Sequence, residues 1–220
     1  MIIVGIDMSK NSPGVCVREG DKLTFLSFIR GEEESEGKRM SKGRKRVIDH
    51  FAMLRSKGVK IISNNRSTKV KEYTDLEVWK VMDASLLAET IVAALPDSVD
   101  MVGIEGFSYG SKGNSGLDIA GYAYCVRKAL FEKYGMEKLC VFSPGNVKKT
   151  AGKGNAGKEE IMNFFLQSKE QDLNANPLWM GLSMGEVATE KPIDDLVDSY
   201  YVQECTKNHY QTRMKVTISN

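Results

Sequence analysis

The sequence has little net charge. Lys and Arg number 31 against 29 Asp and Glu, which leaves a formal +2 at pH 7. Overall charge therefore does not announce a nucleic-acid binder, and any basic surface has to be local. Paired cysteines are also missing. Cys16, Cys125, Cys140 and Cys205 lie far apart with no CxxC, which argues against a zinc site and reads as buried thiols in a reducing compartment. No apolar run reaches ~18 residues, so no membrane span is expected. No basic segment precedes the first apolar stretch, which argues against a signal peptide, and the expected place is the cytoplasm. Internal repeats are absent. What remains is 220 residues, 41% apolar and 27% charged, the composition of one globular domain long enough to bury a core.

The stretch Ile2 to Ile6 is short, rich in Ile and Val, and ends on Asp7. It reads as a buried strand. Its terminal carboxylate stands where open α/β sheets keep their sites. Met101-Val-Gly-Ile-Glu105 repeats the arrangement, and Pro192-Ile-Asp-Asp-Leu-Val-Asp198 opens the last helical stretch with three acids. The three stretches are expected to converge on one metal site.

Between them, a polar turn with Pro13 and Gly14 leads to strands at Val15 to Val17 and Leu23 to Ile29, joined by a Glu19-Gly-Asp21 hairpin into an antiparallel meander. Residues 30–47 carry an acidic half and then a basic half. Two readings stand there: a solvated loop of self-compensating charge, or a basic arm that touches phosphate. Val47 to Arg55 reads as a short helix and Val59 to Ile62 as a small extra strand. Val78, Met82, Leu86, Leu87, Ile91 and Leu95 recur at helical spacing and predict a helix from Leu76 to Leu95, stopped by Pro96. From there strand and helix alternate, the signature of an α/β domain. A glycine-rich loop over 106–116 precedes a helix from Leu117 to Tyr134 and a strand from Leu139 to Phe142. Ser143 and Pro144 start a short helix. A basic loop, a helix from Lys158 to Gln167, an irregular connector over 168–191 and a final helix from about Pro192 to Asn208 complete the chain. His209, near that helix end, reads as a partner of its dipole.

Carboxylates with no His or Cys nearby are the ligand set of a hard cation such as Mg²⁺ or Mn²⁺. Four of them on different elements hold two ions ~3.5–4 Å apart, a pair suited to phosphodiester hydrolysis. Asp195 and Asp198 share a helix face at i and i+3, and Asp194 and Asp198 share one at i and i+4, so spacing alone does not choose between them. Val202, one turn on, implies that the acid face is partly covered. Plainer readings exist. The helix dipole favours Asp194 and Asp195 in a first turn, and an Asp after a strand often caps a turn. Gly152 to Lys158 has the spacing of a nucleotide phosphate loop, but Glu159 stands where a hydroxyl is required, so no nucleotide cofactor is expected.

The order of strand-one acid, strand-four acid and last-helix acid pair resembles the ribonuclease H-like superfamily. Within it the chain resembles the RuvC family of Holliday-junction resolvases, and looks most like the viral or bacteriophage members, which would place it in a host cytoplasm. The stretches that carry this are Gly5-Ile-Asp7, Ile104-Glu105-Gly-Phe107, Val147-Lys-Lys149 through Gly157-Lys158, and Asp194-Asp-Leu-Val-Asp198. The resemblance implies a five-stranded mixed sheet flanked by helices, with strands 1–3 antiparallel and 4–5 parallel. It implies a single domain over 1–220 with insertions at about 30–75 and 168–191. It carries the metal ligands onto Asp7, Glu105, Asp195 and Asp198, with Asp194 as a neighbour or substitute, two Mg²⁺ or Mn²⁺ per site, and Lys158 in the catalytic set. The substrate it implies is branched DNA, four-way junctions above all, cut by paired nicks in a homodimer. Lys112, Lys148, Lys149, Lys153 and Lys158 would then contact phosphate, and Phe107 and Tyr109 would stack on opened bases. Each of these lysines also reads as ordinary surface, and Phe107 as partly core. The two insertions leave substrate breadth and dimer surface open. A nuclease for RNA–DNA hybrids and a non-catalytic junction-binding protein stand as alternatives. A sugar-kinase or actin-like ATPase opens with a similar strand but needs two such domains, for which 220 residues are too few.

Overall fold

The computed structural model describes residues 1–30, 51–64, 70–107, 114–167 and 191–218. The arm over 31–47 and the connector over 168–190 lie outside them. The described strands are β1 (Ile2–Asp7), β2 (Gly14–Glu19), β3 (Lys22–Arg30), β4 (Lys60–Asn64), β5 (Met101–Glu105) and β6 (Leu139–Phe142). The helices are α1 (described over 51–56), α2 (Tyr73–Ala94), α3 (Asn114–Tyr134), α4 (Pro144–Ala151), α5 (Lys158–Gln167) and α6 (Ile193–Ile218).

The strands form one sheet in the order β4-β3-β2-β1-β5-β6. β1, β2 and β3 are antiparallel, while β5 and β6 run parallel to β1. This is the ribonuclease H-like topology, with a sixth strand in place of the expected five. β4 adds in parallel to the outer edge of β3, pairing Phe28 with Ile62. It is the small extra strand at Val59 to Ile62, too short for its sequence to say whether it joins the sheet.

Strand parity sorts the residues into two cores. On one face Val4, Ile6, Val15, Val17, Val102 and Ile104 meet Leu87 and Ile91 of α2 and Tyr122, Val126 and Leu130 of α3. On the other, Cys16 and Phe25 meet Val147 of α4, Phe165 of α5 and the Ile193, Val197, Tyr200 and Tyr201 side of α6. The helical stripe expected on α2 is broader than its buried face: Leu87, Ile91 and Leu95 are buried, but Val78, Met82 and Leu86 face outward.

α6 crosses the sheet directly over three glycines, one on each of three adjacent strands. A Cβ at Gly14 of β2 would overlap the carbonyl of Asp195. At Gly5 of β1 it would overlap the backbone of Ser199 and Gln203, and at Gly103 of β5 the hydroxyl of Thr206. A buried ion pair sets the position of the helix on β2: Arg18 donates to Glu204 at 2.9 Å and to Gln203 at 3.3 Å. The helix runs on to Ile218, well past the expected end at Asn208. Its last turns are exposed and lack an apolar stripe, so periodicity does not announce them. They are held by Arg213 on the Glu137 carbonyl at 2.9 Å.

This seating makes a prediction. Gly5→Ala places a methyl against helix backbone that cannot yield, at a cost of about 3 kcal/mol, or a fall in Tm of roughly 5–10 °C. Gly121→Ala on α3, where an added Cβ meets nothing within 4 Å, should hold or raise Tm. Thermal unfolding of the two variants beside the parent protein checks this; equal Tm values for all three would refute the seating.

Candidate active site

β1 and β5 run parallel in register, pairing Val4 with Val102, Gly5 with Gly103 and Ile6 with Ile104. The next position on each strand is an acid, Asp7 and Glu105. Side chains alternate along a strand, so both acids share the face of Gly5 and Gly103, the face that α6 covers. The repeated Val-Gly-Ile-acid sequence is therefore a structural repeat: the glycine admits the helix and the acid two residues on emerges beside it.

α6 brings the remaining acids. Asp195 faces the turn after β1, where Ser12 donates to its carboxylate at 2.6 Å and Ser9 at 3.3 Å. Its other oxygen accepts from Lys191. Asp194 points away toward α5 and pairs with Lys158. Asp198 is half-buried and lies between the two groups, sensing Asp194 and Asp195 on one side and acting on Glu105 and Asp7 on the other. Asp7, for its part, responds to Asp195, Asp198 and Glu105. Of the two candidates paired with Asp198, Asp195 stands on the Asp7 side. Val202 is fully buried beside this face.

The electrostatics are those of like charges gathered without enough counter-charge. Burial, then Asp195, Asp198 and Glu105, push Asp7 well above the usual carboxylate range. Burial, then Asp198, push Glu105 up to about 7, against the pull of Lys148. Burial, then Asp194 and Asp195, push Asp198 to about 6. Oxygen-only donors under mutual repulsion suit a hard divalent cation. The residues present thus fit such an ion in their chemistry. They are not drawn together into a finished cage: among the described residues no three of Asp, Glu, His or Cys stand close enough to hold a metal.

The basic residues separate. The charge of Lys148 acts on Glu105. Lys149, its neighbour, instead lines an open groove of about 420 Å³ between α4 and α6 with Asn146, Thr150, Asn208, His209 and Thr212. Lys153 sits on Glu160 at 3.5 Å, away from the acids. Phe107 is half-buried, 5.5 Å from the Tyr124 ring, with the Arg127 guanidinium 4.5 Å from its centroid. Tyr109 and Lys112 lie outside the described residues. Two expectations need correction. His209 is mid-helix, edge-on to Phe142 at 5.9 Å, because α6 continues past it. Among the cysteines only Cys16 is fully buried; Cys125, Cys140 and Cys205 are partly buried.

Sequence reasoning overlooked Lys191, Ser9, Ser12 and Arg127. Ser9 and Ser12 follow Asp7 closely, and polar residues just after a strand-end acid were a usable signal. Lys191 sits in a stretch without a period and had none. Arg127 is one of many charges on a helix and becomes notable only through its place under Phe107.

No protein-family model matches this sequence, and no curated protein sequence matches it. Among solved structures, the chain is similar to Thermus thermophilus RuvC in complex with a Holliday junction substrate, at 16% identity and TM-score 0.48, over 98% of this chain and 96% of that one. It is also similar to a Thermus thermophilus RuvC structure at 15% identity and TM-score 0.42, over 98% and 97%.

The raised acids fix the sign of a pH effect. Folding takes up protons between 4.5 and about 7 at Glu105 and between 3.8 and about 6 at Asp198. Both acids bind protons more tightly in the folded state, so the stability of the metal-free protein falls as pH rises through that window, and the full penalty stands above it. In chelator, Tm should be higher near pH ~6 than near pH ~8, and Glu105→Gln or Asp198→Asn should narrow that gap. Thermal scans across pH test it; a gap that both variants leave intact would assign the effect elsewhere.

Proposed function

We propose that this chain is a metal-dependent endonuclease that cuts four-way DNA junctions and related branched DNA. The observation that carries this reading is the convergence of Asp7, Glu105 and Asp198 from β1, β5 and α6 onto one face of the sheet, with Asp195 beside Asp7. These four side chains would hold Mg²⁺ or Mn²⁺, two ions per site. Bound there, such ions supply water activation and neutralise charge at the departing oxygen of a phosphodiester.

The chain's own residues do the rest. Ser9 and Ser12 orient the Asp195 carboxylate. Lys148, near Glu105, and Lys158, held at the rim by Asp194, are placed to meet phosphate; Lys158 exchanges Asp194 for a phosphate oxygen when DNA enters. Lys149 and His209, with the amides and hydroxyls of the α4–α6 groove, contact backbone without reading bases. Phe107, braced by Arg127, offers a ring to an unpaired base. The active form is a homodimer, and the outward stripe of α2, with Val81 65% and Met82 66% exposed, is the face offered to the second copy. The affiliation with viral or phage resolvases belongs to this same proposal.

Cleavage of a labelled four-way junction, a matched duplex and an RNA–DNA hybrid, with and without Mg²⁺ or Mn²⁺, tests the reading. Paired, metal-dependent nicks in the junction are expected, falling by more than about 10³-fold in Asp7→Asn, which corresponds to several kcal/mol of lost transition-state stabilisation. Junction binding without cleavage in either metal would make this a binding module, and degradation of the hybrid would redirect the substrate. For the dimer, Met82→Glu should convert the protein to monomer in sedimentation while leaving Tm near that of the parent; a parent protein that sediments as monomer at micromolar concentration rejects the dimer.

A further inference from the structure

Lys191 is the first described residue after the connector and lies three and four positions before Asp194 and Asp195. Its ammonium pairs with Asp195 and stands 3.9 Å from Asp194. Its charge also reaches Asp7 and Asp198, lowering both. Burial would pull the ammonium toward neutrality, but Asp195, Asp194 and Asp7 outweigh it and hold it charged. Lys158, by contrast, pairs with Asp194 on the outer side, and Lys148 acts on Glu105. Lys191 alone, among the described lysines, engages Asp195 directly. It does so on the carboxylate oxygen that Ser12 leaves open, since Ser12 and Ser9 take Oδ2 and Lys191 takes Oδ1.

We propose that Lys191 is a tethered counter-cation of the acidic centre, and that a divalent ion and the Lys191 ammonium compete for the Asp195 carboxylate. This rests on the metal-centre reading above. The side chain is 46% exposed, so it has solvent to swing into.

Competition is a negative coupling, reciprocal by thermodynamic necessity. Removing the ammonium should therefore destabilise the metal-free protein and tighten ion binding by the same factor. The test is calorimetric titration of Mn²⁺ into the full chain, with thermal scans in chelator and at saturating Mn²⁺. K191M should bind Mn²⁺ about tenfold tighter than the parent, melt lower in chelator, and melt with the parent at saturating Mn²⁺. K191R, which keeps the cation, should bind as the parent does. D7N should weaken binding, which places the ion at this centre. Equal or weaker Mn²⁺ binding in K191M, with D7N still impaired, overturns the role of Lys191 and leaves the metal centre standing. Absence of Mn²⁺ binding in the parent and K191M alike overturns the metal centre and the inference with it.

Discussion

Everything at the acidic centre depends on how α6 lies on the sheet. A helix ordinarily rests on a layer of side chains, and side chains repack. Here Gly14, Gly5 and Gly103 remove that layer along a diagonal over β2, β1 and β5: the backbone of α6 comes down on the strands at Gly14 and Gly5, and the Thr206 side chain at Gly103. Backbone does not repack, so the helix has one height. The Arg18 pairing to Gln203 and Glu204 then fixes its rotation and slide. A buried ion pair contributes little net stability, but separating its partners is costly, which favours one placement of the helix on β2. The backbone positions of the acids on α6 relative to those on β1 and β5 are thereby set by the fold rather than by rotamers.

That stiffness has an electrostatic consequence. The fold forces Asp7, Glu105, Asp195 and Asp198 together although their charges repel, and burial deepens the repulsion. Three lysines relieve it in part, each from a different element: Lys148 at Glu105, Lys158 at Asp194 and Lys191 at Asp195. None of them sits among Asp7, Glu105 and Asp198, and none of those three carboxylates accepts a hydrogen bond from a described side chain in the way that Asp195 does. Strongly perturbed carboxylates on a rigid frame are the arrangement that supports the proposed metal centre.

What the sequence made legible follows from which signals are local. The strands ending on Asp7 and Glu105, the sorting of helices and the acid pair at the head of α6 are each written within a few consecutive residues. The rest is carried by contacts between distant ones. That Asp195 rather than Asp194 turns toward Asp7 depends on Ser12, 183 positions away, and no spacing rule within the helix decides it. Lys148 and Lys149 are adjacent in sequence and indistinguishable there, yet a helix separates neighbours by about 100°, and the charge of one acts on Glu105 while the other lines the groove. The outward face of α2 misled for a related reason: an apolar stripe says that something covers it, and the spacing does not say whether that is the chain's own core.

The two layers flanking the sheet therefore divide the work. α2 and α3 bury one face with ordinary side-chain packing and keep an apolar exterior. α4, α5 and α6 cover the other face and hold Lys148, Lys158, Asp194, Asp195 and Asp198, with Lys191 in the turn just before α6. Along α6 the acids and the α4–α6 groove are set apart by the eleven residues from Asp198 to His209, roughly 16 Å of helix, and a helix seated on glycines holds that separation constant.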